Sequence, residues 1–109
     1  MTTAVHTKAL SRFGYALSDR TRTQILMMLR VEPSYPSDLA DAIQVSRQIL
    51  SNHLACLRGC GLVVAVTEGR RSRYELADPR IGLALDDLLG VVLAVDPACC
   101  QAAATDECC

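Results

Sequence analysis

Cys56 and Cys60 stand four residues apart in a stretch, Arg47 to Cys60, that has helical apolar spacing. On a helix that interval puts the two Cβ atoms about 5–6 Å apart on one face, so both sulfurs can reach a single ion. Two sulfurs leave a coordination shell incomplete. Cys99 and Cys100, which follow the helix-breaking Asp96-Pro97, are placed in sequence to complete it. Three sulfurs with few nearby nitrogens favour soft ions such as Cd(II), Pb(II), Hg(II) or As(III), and Zn(II) also accepts thiolates. Two other readings of these thiols stay open: buried core cysteines for the helix pair, and a redox switch for Cys99-Cys100 and Cys108-Cys109. Cys108 and Cys109 fit an auxiliary ligand, a capture site or no role. None of the six cysteines falls in the first 55 residues, which is not the spread of a secreted disulfide framework.

A second set of chemistry-bearing residues is cationic. Residues 43–74 carry Arg47, Arg58, Arg70, Arg71 and Arg73 against Glu68 alone, a balance of +4 inside a chain whose net charge is −1. Residues 75–109 carry Arg80 against seven acids, a balance of −6. A basic middle followed by an acidic end implies one anion-facing surface, with the acidic segment turned elsewhere. An ordinary solvated arginine face is the bland alternative.

Helices and a hairpin must position these groups. Lys8 to Leu17 has helical apolar spacing, and Ser18 or Asp19 can cap a second helix with Ile25, Leu26, Met28 and Leu29 on its inner face. Pro33 and Pro36 break the chain, and Ser37 is expected to cap a short helix, Asp38 to Ile43. Gln44, Val45 and Ser46 then lead into the helix Arg47–Cys60, with Ser46 as N-cap and Gly61 as the left-handed stop. Short helix, tight turn, longer helix is helix-turn-helix spacing. The β-branched run Leu62 to Thr67, the turn Glu68-Gly69-Arg70 and the stretch Ser72 to Leu76 read as a hairpin, the wing of a winged helix. Asp78-Pro79 opens a last helix reaching about Val95, whose second half is apolar on nearly every face. One small domain cannot cover such a helix, so a second copy of the chain is expected to do so.

With 109 residues, the chain is sized for one domain: residues 1–95 as the folded unit and 96–109 as a cysteine-rich tail. Half the residues are hydrophobic and only 4% aromatic, so the core rests on aliphatic side chains. The apolar run Leu88 to Val95 is far short of the about 20 residues of a membrane span. The first 20 residues lack a signal-peptide pattern, and a cytoplasmic protein without membrane contact is expected. No nucleophile–base–orienter set, phosphate loop or HExxH is present, which argues against an enzyme.

The segments Leu17 to Leu26, Ser46-Arg-Gln-Ile-Leu-Ser-Asn-His-Leu54, Gly61-Leu-Val63 and Glu68-Gly-Arg70, in the order α-α-α-α-β-β-α, resemble the ArsR/SmtB family of dimeric winged helix-turn-helix metal-sensing repressors. The resemblance covers residues 8–95. Arg20 stands where the family often has Pro. An arsenic-type site in that family resembles Cys-Val-Cys at the start of the third helix, where this chain has Ser34-Tyr35-Pro36-Ser37-Asp38. A zinc-type site uses Asp and His on the last helix, and Asp78 to Asp96 contains no His. The string from His53 to Val64 with its two cysteines resembles the cadmium/lead-sensing type. That likeness implies metal ligation by Cys56, Cys60 and a tail thiol, Cys99 or Cys100, from the other subunit.

The family likeness also implies operator double-stranded DNA as the partner of a homodimer. Residues near the start of a groove-inserted helix reach base edges; here these are Arg47, Gln48, Ser51 and Asn52, with Ser46 and the helix start holding a phosphate. His53 is expected to touch DNA or support the turn, and His6 to have no role. Arg70, Arg71 and Arg73 would grip the DNA backbone or enter the minor groove. Two alternatives remain on the residues alone: a thiol redox-sensing repressor, and a cytosolic metal-buffering thiol protein that does not bind DNA.

Overall fold

A computed structural model describes residues 3–94. Helices α1 (Thr3–Leu17), α2 (Arg20–Leu29), α3 (Pro36–Ile43) and α4 (Arg47–Gly59) precede strands β1 (Val63–Glu68) and β2 (Arg71–Leu76), and α5 (Pro79–Ala94) closes the order. This is the expected mainly α, winged helix-turn-helix succession. The tail 96–109, with Cys99, Cys100, Cys108 and Cys109, lies outside the described residues.

Local chemistry accounts for most boundaries. Asp19 has extended backbone angles and its side chain accepts the Arg22 N–H at 3.0 Å, so Asp19 rather than Ser18 caps α2. Ser46 does the same for α4, its Oγ accepting the Ile49 N–H at 3.1 Å. Ser37 is not the cap of α3. That helix opens at Pro36, with Tyr35 in the N-cap position and no side-chain cap bond. Proline's fixed φ suits a first helical residue, where its missing N–H costs nothing. No proline or glycine interrupts Thr3 to Lys8, and α1 starts five residues before the expected position.

Two left-handed residues shape the helix-turn-helix. Gln44, at φ 64°, ends α3, and the N–H groups of Gln44 and Val45 both bond to the Ala40 carbonyl. Gly61, at φ 78°, ends α4 in a Schellman arrangement: Leu62 N–H bonds to Leu57 O and Gly61 N–H to Arg58 O, each at 3.0 Å.

The hairpin is antiparallel, registered from Val63 opposite Leu76 to Glu68 opposite Arg71, with Gly69 and Arg70 as its turn. Ser34 forms an isolated antiparallel bridge to Tyr74, donating and accepting one backbone bond at 3.0 and 2.8 Å. The wing is thereby tied to the α2–α3 connection as well as to itself.

Ile25 and Leu26 of α2, Leu39 of α3, and Leu50 and Leu57 of α4 are fully buried at the centre. Leu50, Leu54 and Leu57 fall on one face of α4 at helical spacing, so the opposite face of the same helix is left for solvent. Helix α5 docks through Leu85 and Gly82, where an added Cβ would already be in contact with Arg30 and Leu76, and Asp86 pairs with Arg30 at 2.7 Å. Elsewhere along the helix much apolar surface is exposed among the described residues: Leu83, Val91, Val92 and Leu93 are 58–75% exposed, and Leu10 of α1 is 74% exposed.

The α2 cap has a pH signature. The Arg22 N–H bond first, and the His53 and Arg22 charges after it, hold the Asp19 carboxyl below its ordinary value of 3.8, against the opposing effect of burial. A lowered carboxyl contributes stability above pH 3.8 and loses it as pH falls through the folded value. Asp19→Ala is expected to cost about 1 kcal/mol at pH 7, only part of it charge, because the carboxylate is partly exposed and screened. In urea unfolding at pH 7 and pH 3, the gap between wild type and Asp19→Ala should shrink at the lower pH. Asp19→Asn, which keeps the acceptor but not the charge, should lie between wild type and Asp19→Ala at pH 7 and closer to wild type at pH 3. A gap that does not change with pH would contradict this.

Candidate nucleic-acid interface and thiol pair

Helix α4 carries two chemistries on one rigid rod. At its head, Ser46, Arg47, Gln48, Ser51 and Asn52 are all exposed. Gln48 Nε2 donates to Asn52 Oδ1 at 3.0 Å, which holds the two amides as a unit one turn apart. The Ser46 hydroxyl oxygen is occupied in capping and retains its own O–H to donate.

His53, grouped by sequence with these residues, is turned inward. Its Nδ1 lies 3.4 Å from Arg22 Nη1 and its Nε2 3.7 Å from Asp19 Oδ1. His53 thus supports the joint between α4 and the start of α2.

That joint is centred on Arg22, a residue the sequence did not single out. It is 8% exposed, donates from Nε to Ala16 O at 3.1 Å and from Nη2 to Tyr15 O at 2.9 Å, and lies over the Tyr15 ring at 4.8 Å. Carbonyls at the C-terminal end of α1 satisfy the buried guanidinium, a favourable setting for a cation. Only its place three residues after a capping Asp hinted at it.

The wing arginines divide. Arg70 sits at the exposed turn. Arg71 has its guanidinium carbon over the Tyr35 ring, 3.6 Å from the centroid, and Arg73 pairs with Glu68 at 3.2 Å. Glu68 also accepts from the Tyr35 hydroxyl at 3.3 Å. Tyr35 and Glu68 were missed by sequence reading, since both act across more than 30 residues of chain.

Toward the other end of α4, Cys56 and Cys60 are free thiols, each half-buried. Burial pushes the Cys60 thiol up from its ordinary value, and the charge of Cys56 and a hydrogen bond with it add to this; Arg12 and Arg22 pull the other way. The four-residue interval places the two thiols on one face of the helix. Among the described residues no cluster of three or more His, Cys, Asp or Glu is poised for a metal. The pair supplies two soft donors with cations close by to offset thiolate charge, which fits part of a thiophilic site. Among the described residues no helix is long and apolar enough to cross a membrane.

Comparison with known proteins agrees with this geometry. Residues 19–64 match the family described as bacterial regulatory protein, arsR family. The chain is 48% identical to the HTH-type transcriptional regulator CmtR of Mycobacterium tuberculosis, covering 98% of this chain and 93% of that protein. It is 36% identical to a probable mercury resistance operon repressor of Streptomyces lividans, covering 94% and 78%. The NMR structure of the cadmium metal-sensor CMTR from Mycobacterium tuberculosis superposes with a TM-score of 0.65 at 53% identity, covering 79% of this chain and 90% of that one. A homodimeric winged helix-turn-helix DNA-binding domain from Mycobacterium bovis gives a TM-score of 0.77 at 26% identity, covering 84% and 87%. The protein is a winged helix-turn-helix transcriptional regulator of the arsR family.

Proposed function

We propose that the chain is a repressor that binds operator DNA as a homodimer and lets go when a soft thiophilic ion, Cd(II) or Pb(II) foremost, is taken up by Cys56, Cys60 and the tail thiols Cys99 or Cys100. The observation that carries this reading is that one helix, α4, holds the exposed polar residues Arg47, Gln48, Ser51 and Asn52 at its head and the two thiols toward its other end. Two relatives, a cadmium metal-sensor and a probable mercury resistance operon repressor, support the ion class.

Cys56 and Cys60 supply two sulfurs on a rod whose inner face is fixed by Leu50, Leu54 and Leu57. A bound ion supplies a cross-link between sulfurs. Engaging a tail thiol from the partner copy then constrains α4 relative to that copy, and DNA affinity changes only as far as this arrangement and the DNA-bound one differ. A coupling of about 1–3 kcal/mol is the ordinary scale.

Under strong reductant, thiolate-to-metal ultraviolet absorption should appear with Cd(II) and Pb(II) and weaken in Cys56→Ser and Cys60→Ser. Both variants should bind promoter DNA normally and fail to release it with metal. Cys99→Ser with Cys100→Ser should behave likewise, while truncation after Asp106 keeps most of the response. If the tail double variant dissociated at the wild-type metal concentration, the tail would not complete the site. Release only on oxidation, with no metal response, would instead support a redox sensor.

The dimer is expected to form through α5 and α1, whose apolar faces this chain leaves uncovered, and the homodimeric relative supports it. Leu89→Glu or Val92→Glu would place an unpaired carboxylate in that interface at a cost of several kcal/mol. Sedimentation at micromolar concentration should show a monomer. A persistent dimer would put the interface elsewhere.

A further inference from the structure

Between the wing and the heads of α3 and α4 lies a cavity of about 260 Å³. Arg47, Arg71, Ser37 and Ser72 border it, with Tyr35 and Tyr74 as part of its wall. No carboxylate lines it among the described residues. Glu68 of the wing is engaged by the Tyr35 hydroxyl and by Arg73, and Asp38 of α3 is exposed and not part of the lining.

We propose that this cavity is a seat for one phosphate of the DNA backbone, held between Arg47 of the recognition helix and Arg71 of the wing, with Tyr35 as the positioning residue. The proposal rests on the DNA-binding reading and deepens it. It takes Arg47 from base reading to backbone contact and gives the wing a fixed distance from the helix. Stacking on Tyr35 uses only the face of the Arg71 guanidinium, so its in-plane N–H donors stay available for a bidentate phosphate contact. Tyr35 is itself held on two sides: its hydroxyl donates to Glu68, and the neighbouring Ser34 is bridged to Tyr74 of β2. Arg71 is thus ordered before DNA arrives, which lowers the entropy lost on contact.

The test is the salt dependence of binding to a promoter duplex, read by fluorescence anisotropy. Each neutralised phosphate contributes about 0.9 to the slope of log K against log salt, so a dimer with two such seats should lose up to about 1.8 in Arg71→Gln. Arg47→Gln should lose a similar amount, and the double variant less than the sum, because both act on one phosphate. Base preference should not change in either. Tyr35→Leu should weaken binding about twofold to fivefold per protomer and lower the slope, whereas Tyr35→Phe, which keeps the stack, should restore both. A scan with single methylphosphonate linkages should find one position per half-site where neutralisation weakens wild type and leaves the double variant unaffected.

Arg71 is exposed on the wing, and circular dichroism of Arg71→Gln checks that it folds. An unchanged slope in Arg71→Gln together with a silent scan, while wild type binds the duplex, would overturn the seat and leave the DNA reading standing. Failure of wild type to bind any promoter duplex would overturn both. Displacement of wild type, but not Arg71→Gln, by inorganic phosphate at constant ionic strength with a silent scan would make this a free-anion site and overturn the DNA assignment.

Discussion

Burial of one face of α4 against α2 and α3 is the constraint on which the rest of the molecule depends. Leu50, Leu54 and Leu57 are each at most 2% exposed, and a leucine in such a site typically costs about 2–5 kcal/mol to truncate to alanine. Fixing that face leaves the others no rotational freedom. Arg47, Gln48, Ser51 and Asn52 must face outward at the head of the helix, and Cys56 and Cys60 must share a face nearer its end. Any force applied to the thiols is therefore transmitted to the head of the helix through 13 residues whose ends are both capped.

Electrostatics reinforces this layout. The buried Arg22 guanidinium is satisfied by the carbonyls of Tyr15 and Ala16 and touches His53 of α4. A single cation thus joins the end of α1, the start of α2 and the middle of α4. On the other side, the wing is fixed by Ser34–Tyr74 backbone bonds and by the stack of Arg71 on Tyr35. The fold holds α4 and the wing in a set relation to each other, as a two-point grip on a duplex requires.

The fold was legible where residues with strong local preferences stand: Pro33 and Pro36 ending α2 and starting α3, Ser46 opening α4, Gly61 ending it, and Asp78-Pro79 opening α5. It was less legible where local preference is silent. Nothing in the sequence marks Gln44 as left-handed, and no breaker marks where α1 begins. The thiol pair was legible because a four-residue interval on a helix dictates a shared face. Arg22, Tyr35 and Glu68 were not, because their partners are brought to them by packing and not by spacing. For His53 the helix position left DNA contact and support of the turn both open, and the side chain follows the face that meets α2, where Arg22 and Asp19 hold it. The proposed third ligand falls on the tail cysteines, outside the described residues.

The central claim, that the thiols and the groove-facing residues of α4 are energetically linked, implies reciprocity. Whatever factor an ion takes from DNA affinity, DNA must take from ion affinity. The most direct measurement is the Cd(II) dissociation constant of the reduced protein, free and saturated with promoter duplex, set beside the duplex affinity with and without Cd(II). The account predicts that the duplex weakens Cd(II) binding by the factor by which Cd(II) weakens duplex binding, about 5- to 150-fold for a coupling of ordinary size. Equal Cd(II) affinity in the free and DNA-bound protein would show that the two ends of α4 are not coupled and would contradict the account.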